Sequence, residues 1–323
     1  MANNFTTAKY DNGFEETACE ICGQSSRKVV AKRTDLLLGG QDIYFMCECQ
    51  ECESLYLTPR PTPSRMAEFY PDEYQPYTVG VHAESFLNRY VRRYGLKKRY
   101  KIIEKYVKQG DLLDVGCATG DFLAEVTLQS GWQVVGIETS VSAVRYAREQ
   151  VGLNVLVSTL NQASFPKESF DVITMWDVLE HVYDPCVVLD EVGRLLRPGG
   201  IFVVNHPNLD SIDRYLFGRF WAGFELPRHL YLFPTKLLND LMEQRNFRQV
   251  ERNCLYGSHA GTSTSLRFYI QYVFGSGVLS KIFTRIALSK VARILSVPYF
   301  KVIDALKMGS NVTAVFQKQN LNL

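Results

Sequence analysis

The chain has 323 residues, enough for about two domains, and 46% of them are hydrophobic and 12% aromatic. That composition excludes an intrinsically disordered chain, and 36 Lys+Arg against 34 Asp+Glu gives a net charge of +2, too balanced to suggest a coat for nucleic acid. No apolar run approaches the ~18–20 residues that span a bilayer, and MANNFTTAKYDNGFEE lacks a basic-then-apolar leader pattern, so a soluble cytoplasmic protein is expected.

Residues 1–78 read as a loop-rich module. Five of the eight cysteines lie between Cys19 and Cys52. Cys19-x2-Cys22 and Cys49-x2-Cys52 form two knuckles with 26 residues between them, a pattern that can surround Zn2+ with four thiolates. Cys47 is left out because CxxC is the better knuckle. A four-thiolate site has no open position, so the metal would be structural. The Pro-rich TPRPTP (58–63) and the aromatic-acidic FYPDEYQPY (69–77) lead out of the module. Residues 79–108 read as a linking helix, broken near Gly95.

From Gly110 the texture becomes β-α-β. Strands are expected at DLLDVGC, WQVVGIET, NVLVST, SFDVITMW and IFVVNHPN, with helices between them and Gly152 ending the second. Near-continuous apolar strands imply a parallel sheet covered on both faces. Beyond it come an aromatic-rich segment (215–234), a helix from Thr235, a strand at FRQVERNCL, helices over 265–308 and a last strand, NVTAVFQK.

The sharpest motif is LLDVGCATGDF, 112–122, a glycine turn between a strand and a helix. Gly116 and Gly120 suit a tight turn with a ligand close to the backbone. Asp114 precedes the turn, where a dinucleotide site keeps room for pyrophosphate. A carboxylate there suits a cation, such as the amino group and sulfonium of S-adenosylmethionine. Glu138 ends the next strand, 24 residues on, where an acid can accept both hydroxyls of a ribose.

From about Gly110 to Asn208 the sequence resembles the class I S-adenosylmethionine-dependent methyltransferases. LDVGCATG resembles their first motif, with Ala118 where many members have glycine. GIETS resembles the ribose motif, FPKESFDVITMWDVLEHVYDP the fourth-strand motif, and RLLRPGGIFVVNHPN the turn into the fifth strand. The resemblance implies an α/β, Rossmann-like sheet with helices on both faces over 109–323, carrying a helical insertion at 265–308. It implies that Asp114, Gly116 and Gly120 line the methionine part of the cofactor and that Glu138 holds the ribose. Thr159 and Leu160 would flank the adenine, and Trp176 and Asp177 would close over the cofactor. CEICG with CQECESLYLTPRPTPSRMAEFYPDEY resembles the N-terminal zinc-ribbon segment of methyltransferases that modify sugars, antibiotics and surface polysaccharides. In that family the zinc is structural and the segment packs beside the active site.

Methyl transfer from a sulfonium is mainly a positioning problem, and a hydroxyl acceptor gains from a general base, most often histidine. His229, in a PxHLxxF pattern that faces the acceptor in the family, is the first choice, helped by Tyr231 or Arg228. His206, just after the fifth strand, is the second. Trp221, Phe224 and Tyr231 are read as shaping an acceptor pocket. Asp177, Glu180 and His181 resemble the metal-binding E-x-x-E-H of ubiquinone-biosynthesis O-methyltransferases, but metal-free relatives share the string, so packing and capping roles are favoured over Mg2+. Residues 266–307 carry seven Lys/Arg against Asp304, and a packed helix face, a pocket cap, a dimer interface or contact with an anionic membrane would each use them.

The expected function is O-methylation of a sugar, nucleotide sugar or lipid-linked glycan. A carbon or nitrogen acceptor in a secondary metabolite and a non-catalytic cofactor-binding scaffold are the alternatives. An NAD-dependent oxidoreductase is disfavoured by Asp114. A nucleic-acid substrate is disfavoured by the charge balance and by Glu20, Glu48, Glu51 and Glu53 around the knuckles. The acceptor and the oligomeric state are not read from the sequence.

Overall fold

The computed structural model describes residues 13–71 and 86–320. Residues 1–12, the FYPDEYQPY segment beyond Pro71, the boundary expected at 78/79 and His82 lie outside the described residues.

The N-terminal part has more strand than its loop-rich composition suggests. A short β1 (Phe14–Glu15) precedes β2 (Arg27–Arg33), β3 (Tyr44–Cys49), β4 (Leu55–Leu57), β5 (Arg60–Pro61) and a single helical turn, α1 (Pro63–Met66). β2, β3 and β4 form an antiparallel meander, and β1 pairs with β5. The linking helix α2 runs Phe86–Glu104 without a break. Gly95 costs helix propensity, about 1 kcal/mol relative to Ala, but one glycine does not end a helix that is packed on one side.

The second part follows the expected order: β6 (Gly110–Val115), α3 (Asp121–Thr127), β7 (Trp132–Glu138), α4 (Val141–Tyr146), β8 (Val155–Val157), β9 (Phe170–Trp176), α5 (Pro185–Leu195) and β10 (Leu196–Pro207). Then come α6 (Ile212–Phe217), the two-residue β11 (Tyr231–Leu232), α7 (Thr235–Glu243) and β12 (Phe247–Asn253). Four helices follow: α8 (Ser258–Phe274), α9 (Val278–Ala287), α10 (Lys290–Leu295) and α11 (Val297–Ala305). The insertion therefore begins at Ser258 rather than at 265. β13 (Asn311–Lys318) closes the chain's main sheet, ordered β12-β13-β10-β9-β6-β7-β8. β6 to β10 are parallel, and β13 runs antiparallel to both its neighbours. This is the Rossmann-like methyltransferase order.

Strand alternation divides the core in two. Leu112, Val172 and Ile201 point to one face, and Leu113, Ile173 and Phe202 to the other, all fully buried. The second face is continuous with the interior of the cysteine module, through Met46, Leu57, Trp221 and Phe233.

The module is not a bead on a linker. β11, from the methyltransferase part, pairs antiparallel with β4 and completes the module's sheet, Tyr231 opposite Tyr56 and Leu232 opposite Leu55. Arg60 ties the same parts together. Its guanidinium bonds Glu15 and Glu20 within the module, donates to the Tyr183 carbonyl at 3.1 Å and lies 4.7 Å over the Tyr183 ring.

Candidate active site

A cleft of about 1770 Å³ opens at the carboxyl ends of β6, β7 and β9. Open α/β sheets bind ligands at this edge, where the strand order reverses. One end is built by the glycine turn. Gly116 and Gly120 have φ of +68° and +83°, and a Cβ on either would strike Val178 or Leu153 at under 3 Å. Ala118 between them holds φ +47°. That left-handed backbone costs an L-residue about 1–2 kcal/mol, which explains why glycine is common in the motif at this place.

Parallel register sets Asp114 opposite Thr174, whose hydroxyl donates to the Asp114 carboxylate at 2.6 Å. Burial pushes the Asp114 carboxyl up to about 7, against the Thr174 hydrogen bond. A cation beside it would reverse that shift. The Glu138 carboxylate accepts from the backbone N–H of Ala118 (3.0 Å), Thr139 (2.7 Å) and Ser140 (2.9 Å). It therefore bridges the glycine turn and the end of β7. Thr159, Leu160, Trp176 and Asp177 also line the cleft, whereas Gly120 lies behind it as the first residue of α3's cap.

Asp177 has φ +60° and is half-buried at the cleft. Its carboxylate accepts from Asn205 (2.6 Å), Asn311 (2.7 Å) and Tyr256 (3.1 Å). With its oxygens so used, Asp177 does not join Glu180 and His181 as a ligand triad. Arg99 of α2 stacks 4.9 Å over Trp176 and 4.2 Å over Tyr256, so the linking helix is a wall of the cleft.

The other end holds two histidines. His181 sits on a short helical turn after β9, and His229 comes from the loop before β11. Their ring centroids are 4.7 Å apart. His181 Nδ1 donates to the Arg228 carbonyl at 3.0 Å and lies 2.9 Å from the Tyr70 hydroxyl. His229 Nδ1 donates to the Gly223 carbonyl at 2.8 Å, which leaves Nε2 as the basic nitrogen, 3.8 Å from the Glu225 carboxylate. Burial, joined by the charge of His229, drives His181 down to about 4. Burial also lowers His229, against the pull of Glu225. Both imidazoles are therefore neutral at neutral pH.

Glu180 is buried beside them, and neither of its carboxyl oxygens has a partner among the described residues. Burial and the neighbouring Asp177 raise it well above the usual carboxylate range. Ligand atoms of Glu180, His181 and His229 lie within 4.8 Å of one another, a set that could hold a divalent cation.

The remaining expected residues lie elsewhere. His206 is buried against Phe233, with Nδ1 bonded to the Pro207 carbonyl, and does not line the cleft. Its strand end is capped by the antiparallel β13. Tyr231, Trp221 and Phe224 are core residues where the module meets the sheet, not acceptor-pocket walls. Arg228 is wholly buried and bidentate to Asp35 of the module (2.7 and 3.0 Å), with a third bond to Glu225. Asp35, Tyr70, Glu225 and Asn311 are site residues that sequence reasoning missed. Asp35 is distant in sequence and carries no motif, and Tyr70 lies in the quoted FYPDEY string without a role assigned to it.

The four cysteine sulfurs lie within 4.8 Å of one another, Cys19 to Cys52 at 3.6 Å and Cys22 to Cys49 at 3.4 Å. A tetrahedron with metal–sulfur bonds of about 2.3 Å has edges of about 3.8 Å. The two knuckles repeat one geometry. Gly23 and Glu53, both at positive φ, donate to the carbonyls of Cys19 and Cys49, and Cys19 and Cys49 donate onward to Gln24 and Ser54. The donor set and spacing fit Zn2+. Cys47 is not part of this group and is buried in the core.

A family described as a methyltransferase domain matches residues 82–252, more than half of the chain. The chain belongs to the methyltransferase domain family. Among curated members it is similar to the ubiquinone biosynthesis O-methyltransferase of Psychrobacter arcticus, 33% identical over 123 residues, 36% of this chain and 47% of that protein. The protein of the same name from Cereibacter sphaeroides (strain ATCC 17025) is 30% identical over 167 residues, 48% of this chain and 67% of that protein. The chain thus spans about half to two thirds of the length of these methyltransferases. Phosphoethanolamine N-methyltransferase 2 of Haemonchus contortus, solved with S-adenosyl-L-methionine, is 18% identical, with a TM-score of 0.44 over 69% of this chain and 53% of that one.

Proposed function

We propose that this chain binds S-adenosylmethionine and methylates a hydroxyl of a small molecule or glycan, with His229 as the general base. The observation that carries the reading is the pairing of ends in one cleft: two carboxylates, Asp114 and Glu138, at one end and a neutral, tautomer-fixed imidazole at the other. Asp114 would hold the cofactor's ammonium, Glu138 its ribose hydroxyls, and Thr159 and Leu160 its adenine. The bound cofactor supplies an electrophilic methyl carbon for in-line displacement. His229 Nε2 takes the proton from the acceptor oxygen, and Glu225 stabilises the resulting imidazolium across 3.8 Å. Tyr70 and His181 orient that end and keep water out. The four cysteines would hold structural Zn2+ that fixes the module carrying Asp35 and Tyr70.

The O-methyltransferase names of the relatives support oxygen as the acceptor, and the ribbon's resemblance supports a glycan. The deciding experiment incubates the protein with labelled S-adenosylmethionine and a panel of phenols, nucleotide sugars and lipid-linked glycans. His229→Ala with normal cofactor binding and unchanged turnover would dismiss the base.

A second reading rests on Glu180, whose buried oxygens have no partner. In it Glu180, His181 and His229 hold Mg2+ or Mn2+, and His229 is a ligand rather than a base. Activity lost on chelation and restored by the metal, while Zn2+ content stays constant, would favour this reading over the first.

A further inference from the structure

The helical insertion turns its apolar side outward. On α9 the residues Val278, Leu279, Ile282, Phe283 and Ile286 fall on one stripe at helical spacing, and all are exposed, Val278 at 72% and Ile286 at 63%. Ser280, on the opposite side, is only 4% exposed. A helix at a water-facing surface buries its apolar stripe and wets its polar one; α9 does the reverse. The pattern continues in α10, where Ile294 and Leu295 are 70% and 75% exposed, and through Val302 and Leu306. Scattered exposed apolar residues are ordinary, but a contiguous set on successive helices marks a contact surface.

Charge selects the partner. Between 266 and 307 there are seven Lys/Arg and one acid, Asp304. At 100° per residue, Lys281 and Arg285 lie along one edge of the α9 stripe, where long stems can rest on apolar surface while the heads reach outward. Two copies of this face pressed together would oppose like charges, which costs several kcal/mol. No described helix is long and apolar enough to cross a membrane, so these helices cannot span one. We infer that α9 to α11 form an interfacial docking surface for an anionic lipid bilayer, the apolar stripe entering the acyl boundary and the flanking cations meeting lipid phosphates. α8 connects this surface to the cleft: Ala260, Thr264 and Arg267 line the cleft, and Val273 and Phe274 at its far end join the exposed apolar surface. The inference is independent of methyl transfer, since its test reads binding alone.

The test is flotation of the whole protein with vesicles of phosphatidylcholine and phosphatidylglycerol in equal parts, and with phosphatidylcholine alone, at low salt. Flotation with the anionic vesicles and not the neutral ones is expected. Lys281→Gln with Arg285→Gln should weaken partition about thirtyfold, about fivefold per charge. Ile282→Glu with Ile294→Glu should abolish it, while both variants keep the wild-type melting temperature because the altered side chains are exposed. Failure to float with anionic vesicles overturns the inference, as does binding that ignores the charge change. A dimer in light scattering that Ile294→Glu dissociates also overturns it and gives the surface to a second copy.

Discussion

The His181 ring meets the His229 ring edge to face, centroids 4.7 Å apart and planes at 72°. Each imidazole has its Nδ1 hydrogen committed to a backbone carbonyl, of Arg228 and Gly223 respectively. Two imidazoles at this distance, one buried and one half-buried, cannot both be charged. If one takes a proton during catalysis, the other must stay neutral, and Glu225 beside His229 decides which one it is.

Replacing His229 with Gln should lower kcat by about 10²–10⁴-fold with little change in cofactor affinity. The wild-type rate should fall with acid as His229 becomes protonated, and since its pKa lies below 6.5 that limb lies below pH 6.5. Initial rates against pH for both proteins check this; the variant should lose the limb.

Cofactor affinity should itself depend on pH through Asp114. Its carboxyl titrates at about 7 in the empty site because burial penalises the charge. Binding an ammonium requires the ionised form, so Kd should rise as pH falls below 7, at most about tenfold per pH unit. Asp114→Asn should bind weakly and show a flat profile. Calorimetry at several pH values, with proton release measured in two buffers, reads both effects.

The same shift destabilises the empty protein. The folded pKa is above the unfolded value of 3.8, so the folded state binds more protons between the two. Stability contributed by the neutral form is present at low pH and is lost as pH rises towards 7. Asp114→Asn should therefore melt higher than wild type at pH 8 and should gain less at pH 5, as scanning calorimetry would record.

Removing any of Cys19, Cys22, Cys49 or Cys52 with Ser should cost bound zinc and much of the melting temperature, because metal binding is folding energy at such a site. Cys47→Ser should keep a full equivalent of zinc. Elemental analysis of the purified proteins distinguishes the two outcomes.

Asp35→Asn removes one of the two carboxylates that hold the buried Arg228 guanidinium and leaves Glu225 as its charged partner. The loss should destabilise by about 1–3 kcal/mol, short of the cost of a fully unpaired buried charge. It should also lower kcat, since the Arg228 carbonyl holds His181 and the next residue is His229. Arg228→Lys should not rescue, because one ammonium cannot make the fork to Asp35 and the third bond to Glu225.

The strand order, the glycine turn and the two cysteine knuckles were legible because each is a local pattern: alternation, spacing and turn chemistry within a few residues. Where long-range packing decides, the pattern misled. His206 and His229 look alike in sequence, each within two residues of a proline and near a strand. The antiparallel β13 and Phe233 help bury the first, and the Gly223 carbonyl holds the ring of the second. Gly95 reads as a breaker, yet α2 continues through it because the helix packs along the cleft. The resemblance to E-x-x-E-H offers Asp177 as a metal ligand, the less favoured reading, and only Asn205, Asn311 and Tyr256, all remote in sequence, show that its oxygens are taken up.

The strand exchange between β11 and β4 limits how this protein can be recombined. A chimera that takes its first seventy residues from another chain must also supply a partner for Tyr231 and Leu232, an anion for Arg228 and a cation for the Tyr183 ring. The cysteine module is therefore not a cassette that can be exchanged independently of the rest of the chain. Directed evolution of this scaffold would be expected to move through paired changes on both sides of that seam.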